Sequence, residues 1–398
     1  MKQETELLHA LSVQVKCIQI ACILLFSIMM TAFSTEPIAV EGPGRKFKEN
    51  GITMVQLRGT WREMGRQYGV LLKEELRQVL AFAERQATAE SDAMLLPQGL
   101  PMGIDFLDQL FAGVGEGAGL TPRQLVRIVG VECAYLNAAL YEHDEPTPDG
   151  RCTQVLFDGS RTKDGQLLLG RNYDWVASFS PLPIVLASFQ PTDGSMGISC
   201  INYAGCLYMT TGMNSEGVYI GLNSGAYASA ECNPAAHHNI WMLWMVLQQS
   251  KTAANAVKMI QSMQGAACYV ICAADAKEGI VVEWDAKSTV TRTMPEKGFL
   301  VATNHFVQPG WKNLPTAEDG GAESSVARYV TMNDFAGKLQ PGSCDMETLR
   351  NFLQIPCGKG GVRKDGTLFQ VLAAPARREL CLCTRHHPQW VTFHPFKE

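Results

Sequence analysis

A cysteine that directly follows a polar loop is the residue of this sequence best placed to do chemistry. His143–Gly150 reads HDEPTPDG, whose charged and turn-forming residues predict an exposed loop. Cys152 comes next, at the start of the segment TQVLF, which is typical of a strand. A cut before Cys152 would leave its thiol beside its own α-amine. That amine, with an ordinary pKa of about 7.7–8, can accept the thiol proton near neutral pH.

Polar residues that a hydrophobic core would not favour lie at the ends of later predicted strands. Arg171 and Asp174 stand in GRNYDW, just after a predicted hairpin. Asn223 ends GLN, Asn304 ends ATN, and Arg328 lies in SSVAR. Purely structural alternatives exist: an inert buried thiol, an Arg–Asp salt bridge alone, and asparagines that only terminate strands. The order of these residues, with the cysteine first, favours a catalytic constellation.

The segment before the loop is predicted to be mostly helical. Residues 35–58 indicate a linker that leads into a short strand, Ile52 to Leu57. Thr60–Glu63 has the form of a capping box, and a helical pattern continues to about Gln86. Thr121–Gln124 is a second helix start with proline at the first helical position, and it predicts helix up to about Leu140.

After the loop, short strands alternate with a few helices, which predicts an α+β domain of mainly antiparallel sheets in layers. The predicted strands are 152–157, 166–170, 184–189, 196–203, 207–211, 218–222, 268–273, 279–284, 299–303, 367–373 and 380–384. The predicted helices are 238–250, 253–263, 324–335 and 346–352.

Composition excludes several classes of protein. At 46% hydrophobic and 18% charged residues, the chain can bury a substantial core, which excludes global disorder. A formal charge of −5 argues against a nucleic-acid partner, because such proteins usually carry a basic surplus. Thirteen cysteines is an odd number, so at least one thiol should be unpaired.

The amino terminus predicts an exported protein. The apolar run 18–33 follows Lys2 and Lys16, and Ala32-Phe33-Ser34 fits a small-x-small cleavage site. Residues 1–34 are therefore interpreted as a signal peptide, and an uncleaved amino-terminal anchor is the alternative. Such an anchor would be the only contact with a membrane that the sequence predicts. Both interpretations place the rest of the chain outside the cytoplasm, in a secreted, periplasmic or lumenal location.

No sequence motif predicts a cofactor or a metal. Gly113–Gly119 is glycine-rich but follows a helical pattern instead of a strand, so it does not predict a dinucleotide site. Cys381–His387, CLCTRHH, holds four zinc-ligand types, but its spacing matches no common structural zinc pattern. Ordinary strand residues are the favoured interpretation of that segment, with metal binding as the alternative.

Several motifs together resemble the amino-terminal-nucleophile hydrolases. These are Cys152, GRNYDW, GMNSEG followed by GLN, TNH and SSxxR. They are most similar to the family of penicillin acyl-CoA:isopenicillin N acyltransferase, with bile-salt hydrolases as more distant relatives. Residues 57–69, with LRGT and MGRQYG, resemble the helical pro-region of that family.

The resemblance implies a four-layer αββα sandwich and, together with the apolar amino terminus, three parts of the chain. These are a signal peptide or anchor (1–34), a mostly helical pro-segment that becomes a small subunit (35–151), and a catalytic domain (152–398). Self-cleavage before Cys152 would free the amine that acts as base.

The resemblance also implies a role for each site residue. Cys152 would be the nucleophile, Asp174 would orient its amine, and Arg171 would hold the thiolate or an acyl carbonyl. Asn223 would donate to the oxyanion. Asn304 would bind the amine or substrate, and Arg328 would support the thiolate and carboxylate network electrostatically.

The activity implied is cleavage of a linear amide bond in a small N-acyl substrate through an acyl-enzyme. An acyltransferase that uses an acyl thioester or amide donor is the first alternative, and an inactive binding relative is the second. One departure from the family is Arg151, where the acyltransferase has glycine. Glycine eases the strained backbone that an N-to-S acyl shift requires, and arginine at this position does not. The alternative to self-cleavage is therefore a chain that stays uncut and lacks the amine base.

Overall fold

The computed structural model describes residues 36–87, 103–141, 152–225, 239–285, 287–309, 311 and 321–397. Ile38–Glu398 form one compact unit. The predicted signal segment (1–34), the loop at 143–150 and Arg151 lie outside the described residues, so these predictions stay untested. None of the helices in the described ranges is long and apolar enough to cross a membrane.

The described helices confirm most of the sequence-based expectations. The helical pattern from Thr60 is divided into α1 and α2 at Leu72, whose backbone angles of φ −111° and ψ 20° are not helical. The helices are α1 Trp61–Leu71, α2 Lys73–Gln86, α3 Asp105–Ala118, α4 Pro122–Tyr141, α5 Asn239–Gln249, α6 Ala253–Gln261, α7 Ser325–Lys338 and α8 Met346–Leu353.

The strands before the cysteine are β1 Ala39–Glu41, β2 Gly44–Glu49 and β3 Ile52–Gly59. The strands after it are β4 Thr153–Phe157, β5 Leu168–Asp174, β6 Ile184–Pro191, β7 Ile198–Tyr203, β8 Thr211–Asn214, β9 Tyr219–Ser224, β10 Tyr269–Ala274, β11 Gly279–Trp284, β12 Thr289–Thr293, β13 Phe299–Ala302, β14 Thr367–Ala374, β15 Glu379–Thr384 and β16 Val391–Phe393.

Two sheets form the centre of the molecule. The larger has the order β1-β2-β3-β6-β7-β8-β9-β10-β11-β12, and the smaller has the order β13-β4-β5-β14-β15-β16. All described strand pairs are antiparallel except β3 with β6. Helices α5 and α6 pack on β8–β11 of the larger sheet, and α7 and α8 pack on β4, β5, β13 and β14 of the smaller. Strands β10 and β11 meet β13 between the sheets. The predicted αββα order of layers is confirmed.

The segment before Cys152 is helical as predicted, but it also supplies sheet. The short strand predicted at Ile52 to Leu57 is confirmed as β3, but the linker expected before it forms two further strands, β1 and β2. Strand β3 pairs with β6 from Thr53–Val185 to Gly59–Pro191. The strand expected at 207–211 lies a few residues later, at Thr211–Asn214. Pairing onto β3 explains the first difference, because β2 pairs with β3 and β1 pairs with β2, so these short strands are ordered against a neighbour.

Both predicted capping boxes are present. In α1, the Glu63 N–H donates to Thr60 Oγ1 at 3.3 Å, and the Thr60 N–H donates to Glu63 Oε2 at 2.8 Å. In α4, Gln124 and Thr121 make the same reciprocal pair at 3.4 and 2.9 Å. Each box satisfies amide donors that the first helical turn leaves without partners.

Helices α1 and α3 touch backbone to backbone, and we call them the glycine-packed helix pair. A Cβ added at Gly65 would lie 2.0 Å from the Leu110 carbonyl oxygen, and one at Gly113 would lie 2.1 Å from the Arg62 carbonyl oxygen. Gly69 and Gly117, one turn further on, are equally tight. The run Gly113–Gly119, excluded above as a nucleotide loop, is thus a helix-packing surface.

Candidate active site

The six residues singled out in the sequence are drawn from both sheets and one helix, and we call them the Cys152 cluster. Cys152 directly precedes β4, and Arg171 and Asp174 lie in β5, which pairs with β4. Asn223 lies in β9 of the other sheet, Asn304 follows β13, and Arg328 lies in the first turns of α7.

The Cys152 thiol is buried at the inner face of the smaller sheet. The residue is 5% exposed, and Arg171 Nη2 donates to Sγ at 3.4 Å. The carbonyl oxygen of Asp174 lies 4.0 Å from Sγ. Burial raises the pKa of the thiol, and the charges of Arg171 and Arg328 oppose that rise. The thiol therefore stays protonated at neutral pH and needs a base before it can attack a carbonyl.

Arg171 crosses from the smaller sheet to the larger one. Its Nη1 donates to Asn223 Oδ1 at 2.7 Å, and its Nη2 donates to the Leu222 carbonyl at 2.6 Å. Asn223 Nδ2 in turn donates to the carbonyls of Ala302 and Thr303 at 3.2 and 2.9 Å. Both ends of the Asn223 amide are thus occupied. Donation to an oxyanion would require Nδ2 to exchange one of these carbonyls for the substrate oxygen.

Arg328 holds the backbone of the cysteine from the helical side. Its Nη1 donates to the Cys152 carbonyl at 2.7 Å and to Thr153 Oγ1 at 2.6 Å, and its Nη2 donates to Asn304 Oδ1 at 3.0 Å. Asn304 Nδ2 donates to the carbonyl and the hydroxyl of Ser224 at 2.9 and 3.1 Å. This chain of contacts ties α7, β4 and the end of β9 together around the thiol.

Asp174 lies on the opposite face of β5 from Arg171, because the two are three residues apart and side chains alternate along a strand. It is 1% exposed. Burial raises the pKa of its carboxyl to about 6, although Arg328, Thr367, Lys364 and Arg171 all act to lower it. No ion pair joins Arg171 and Asp174 in the described parts of the chain, so the interpretation of the pair as a plain salt bridge is excluded.

Two further residues belong to the site and were not singled out in the sequence. Gln154 Nε2 donates to Asn223 Oδ1 at 2.8 Å and to the Gly221 carbonyl at 3.0 Å. Thr367 Oγ1 donates to Asp174 Oδ1 at 2.6 Å. Gln154 is a polar residue within the mostly apolar strand TQVLF, and this could have indicated its place in the site. Thr367 is the first residue of strand β14, where threonine is common, so the sequence does not indicate its place in the site.

The remaining cysteines look structural. Nine cysteines whose side chains the structure describes, Cys152 among them, are buried, and no disulfide joins any two of these nine. Cys381 Sγ contacts Arg350 Nη2 at 3.3 Å and Thr392 Oγ1 at 3.1 Å, and Cys383 Sγ contacts Gln370 Oε1 at 3.5 Å. Within the described residues, no group of three metal-ligand side chains could hold an ion. The first four residues of CLCTRHH, Cys381 to Thr384, lie in strand β15, as the strand interpretation expects.

Three of the solved structures that match this chain are an amidase, a hydrolase and an acylase. The Caenorhabditis elegans N-acylethanolamine-hydrolyzing acid amidase ortholog matches at 19% identity with a TM-score of 0.43, over 56% of this chain and 93% of that one. Conjugated bile acid hydrolase from Clostridium perfringens matches at 14% identity with a TM-score of 0.43, over 61% of this chain and 92% of that one. Penicillin V acylase from Agrobacterium tumefaciens matches at 14% identity with a TM-score of 0.40, over 61% and 86% of the two chains. A search of curated proteins found no match.

The family comparison covers more than half of the chain. The model of the acyl-coenzyme A:6-aminopenicillanic acid acyl-transferase family matches residues 160–388. That range contains Arg171, Asp174, Asn223, Asn304 and Arg328, and it begins just after Cys152. The resemblance inferred from the motifs is confirmed: the chain belongs to the acyl-coenzyme A:6-aminopenicillanic acid acyl-transferase family of amino-terminal-nucleophile hydrolases.

Proposed function

We propose that this protein is an exported cysteine amidohydrolase that cleaves its own chain before Cys152 and then hydrolyses a linear amide bond of an N-acyl substrate. The observation that carries the proposal is the environment of the thiol. Arg171 donates to Sγ at 3.4 Å while Arg328 holds the carbonyl of the same residue at 2.7 Å. A merely structural buried cysteine needs neither contact, because a thiol packs as a small apolar group.

In the proposed reaction, the freed α-amine of Cys152 accepts the thiol proton, and the sulfur attacks the amide carbonyl carbon. The tetrahedral intermediate collapses as the carbon–nitrogen bond breaks, and the ammonium returns its proton to the leaving amine. Water then attacks the thioester with the amine again as base, which releases the carboxylic acid and restores the thiol.

Two arginines support the charges that this reaction creates. Arg171 faces the sulfur, so it stabilises a thiolate or a developing oxyanion beside it. Burial raises the pKa of both Cys152 and Asp174, and the charge of Arg328 opposes that rise and so favours their ionised forms. Asp174 is the carboxylate proposed to orient the ammonium of Cys152. Asn223 remains the proposed oxyanion donor through Nδ2, and Asn304 the proposed ligand of the amine or substrate.

An acyltransferase is the second candidate, and the family description supports it. The same acyl-enzyme would pass its acyl group to an amine in place of water, from an acyl thioester or amide donor. Export is proposed from the basic residues and the apolar run at 18–33. A catalytically inactive binding protein is the third candidate and would leave the chain uncut.

Intact-mass analysis of the purified protein beside Cys152→Ala tests self-cleavage. The proposal expects a pair of fragments near 13 and 27 kDa for the wild type, at the average residue mass of the chain after loss of residues 1–34. The Cys152→Ala protein should remain a single species. One uncut species in both samples would refute self-cleavage and favour the binding protein.

A substrate screen tests the reaction itself. N-acyl amino acids, acyl dipeptides and conjugated bile acids are offered to the wild type and to Cys152→Ala, with and without an acceptor amine. Release of free acid by the wild type alone supports the hydrolase, and acylated acceptor supports the transferase. Equal turnover by both proteins would exclude Cys152 as the nucleophile.

A further inference from the structure

One oxygen of the Asp174 carboxylate is held and the other is not. Thr367 Oγ1 donates to Oδ1 at 2.6 Å. Oδ2 is buried and has no donor among the described residues. A buried carboxylate oxygen without a donor is costly, so the arrangement is expected to serve a group that arrives there.

The Thr367 hydroxyl is held between the backbone of Lys364 and the carboxylate of Asp174. The Lys364 N–H donates to Thr367 Oγ1 at 3.0 Å, and the Thr367 N–H donates back to the Lys364 carbonyl at 3.1 Å. One lone pair of the hydroxyl thus accepts from Lys364, and an ionised carboxylate can only accept, so the hydroxyl proton is directed to Asp174 Oδ1. The hydroxyl therefore donates to the ionised carboxylate and favours that form.

The backbone of β14 places this hydroxyl opposite the carboxylate. Thr367 pairs with Asp174, and the register between β5 and β14 then shifts before Phe369, which marks a bulge. Behind it, the Trp175 N–H donates to the Gly366 carbonyl at 2.9 Å, and a Cβ at Gly366 would lie 2.4 Å from the Trp175 carbonyl oxygen. Bulges of this kind re-aim a side chain beside an active site.

We propose that Thr367 is a positioning residue, which holds Asp174 by Oδ1 and so keeps Oδ2 for the ammonium group freed at Cys152. The inference rests on the proposed function, because only a cut chain has that ammonium group. Several charged or titratable groups act on the carboxylate electrostatically: Arg328 on α7, Lys364 before β14, Cys357 after α8, Cys152 before β4, and Arg171 from the other face of β5.

The test compares Thr367→Val, which keeps the shape but has no hydroxyl, with Thr367→Ser, which keeps the donor. Activity should fall with falling pH as Asp174 is protonated. Loss of the donor raises the pKa of Asp174, so the acid limb of kcat/KM for Thr367→Val should move up by about one pH unit. Activity at pH 6 should then fall by up to about tenfold, with a smaller loss at pH 8. Thr367→Ser should keep the wild-type midpoint.

A matched control is Thr162→Val, at the turn beyond β4, at the opposite end of that strand from Cys152. Thr162 is also buried, and its hydroxyl donates to the Gln166 carbonyl at 2.7 Å. This variant should lose stability without a change in the pH profile. An unshifted acid limb in Thr367→Val, or an equal shift in Thr162→Val, would overturn the proposal.

A second measurement separates failure of this inference from failure of the proposed function. Carbon-13 NMR of labelled aspartate carboxyls follows the titration of Asp174 in the Cys152→Ala background, where no turnover is needed. Thr367→Val should raise the pKa at which Asp174 titrates. An unchanged pKa would refute the role of the Thr367 hydrogen bond to Oδ1. If the wild type has no amidase activity, the proposed function fails, and with it the assignment of Oδ2 to an ammonium group, whatever the titration shows.

Discussion

The glycine-packed helix pair and the Cys152 cluster are both buried, but opposite features hold them together. In the helix pair, contact depends on missing side chains, since carbonyl oxygens occupy the places where a Cβ of Gly65 or Gly113 would stand. In the cluster, contact depends on long polar side chains such as Arg171 and Arg328, which are both 0% exposed. We therefore expect the helix pair to be disrupted by an added side-chain atom, and the cluster to be disrupted by the loss of a hydrogen-bond donor.

The difference separates stability from chemistry. Close helix packing is favoured by dispersion over many atoms, and it costs no unpaired charge. The cluster gathers charged groups away from water, which is expensive even when each is hydrogen-bonded. We therefore expect substitutions in the helix pair to change the free energy of unfolding, and substitutions in the cluster to change activity first.

The largest effect is expected for Arg171→Met. It removes the donor to Cys152 Sγ and two further hydrogen bonds, and kcat/KM should fall by about 10²- to 10³-fold. Arg171→Lys keeps the charge without the planar fork and should recover only part of the loss. The measurement is turnover of the amide found in the screen, or the rate of self-cleavage by intact mass. Wild-type rates in Arg171→Met would contradict the role given to the cluster.

A substitution in the helix pair should have the next largest effect. The Cβ of Gly65→Ala would stand 2.0 Å from a carbonyl oxygen of α3, so the helices must separate, and we expect a loss of about 3 kcal/mol. Urea unfolding in the Cys152→Ala background avoids a difference in chain cleavage. The control is Gly337→Ala near the end of α7, where an added Cβ would meet nothing within 4 Å. It should be neutral or stabilise the protein by up to about 1 kcal/mol. An equal change in the free energy of unfolding for Gly65→Ala and Gly337→Ala would contradict the close packing assigned to the helix pair.

The smallest effect expected is a pH-dependent gain in stability from Asp174→Asn. Burial raises the pKa of Asp174 to about 6, above an ordinary value of about 3.9. Its contribution to stability is therefore present at low pH and lost as the pH rises through 6. In the Cys152→Ala background, Asp174→Asn should stabilise the protein by on the order of 2 kcal/mol at pH 8 and by little at pH 4. A gain independent of pH would contradict the buried, ionised carboxylate.

Much of the local structure was predictable because short-range signals encode it. Thr60 and Thr121 each stand three residues before a Glu or Gln, and both capping boxes form as expected. The strand over residues 279–284 agrees at both ends. The cluster residues were found because an arginine, an aspartate or an asparagine in a strand that is otherwise apolar is conspicuous.

The misses occur where a distant partner decides the outcome. Strands β1 and β2 have weak patterns of their own and are ordered by pairing onto β3, which itself pairs with β6, more than a hundred residues later. Gln154 and Thr367 were overlooked as site residues, because their roles depend on Asn223 and Asp174 in other strands. The spacing of Arg171 and Asp174 permitted a salt bridge, and only the alternation of β5 excludes it.

The sequence by itself determined the family, the order of helices and strands, and the set of side chains that chemistry would need. These follow from local patterns and from residue types whose burial must be explained. Only the tertiary structure decided which atom faces which. It directs Arg171 to the sulfur and Asp174 to the other side of the strand, and it occupies both ends of the Asn223 amide. The physical reason is that hydrogen bonds are directional and short, so their partners are chosen by packing in three dimensions.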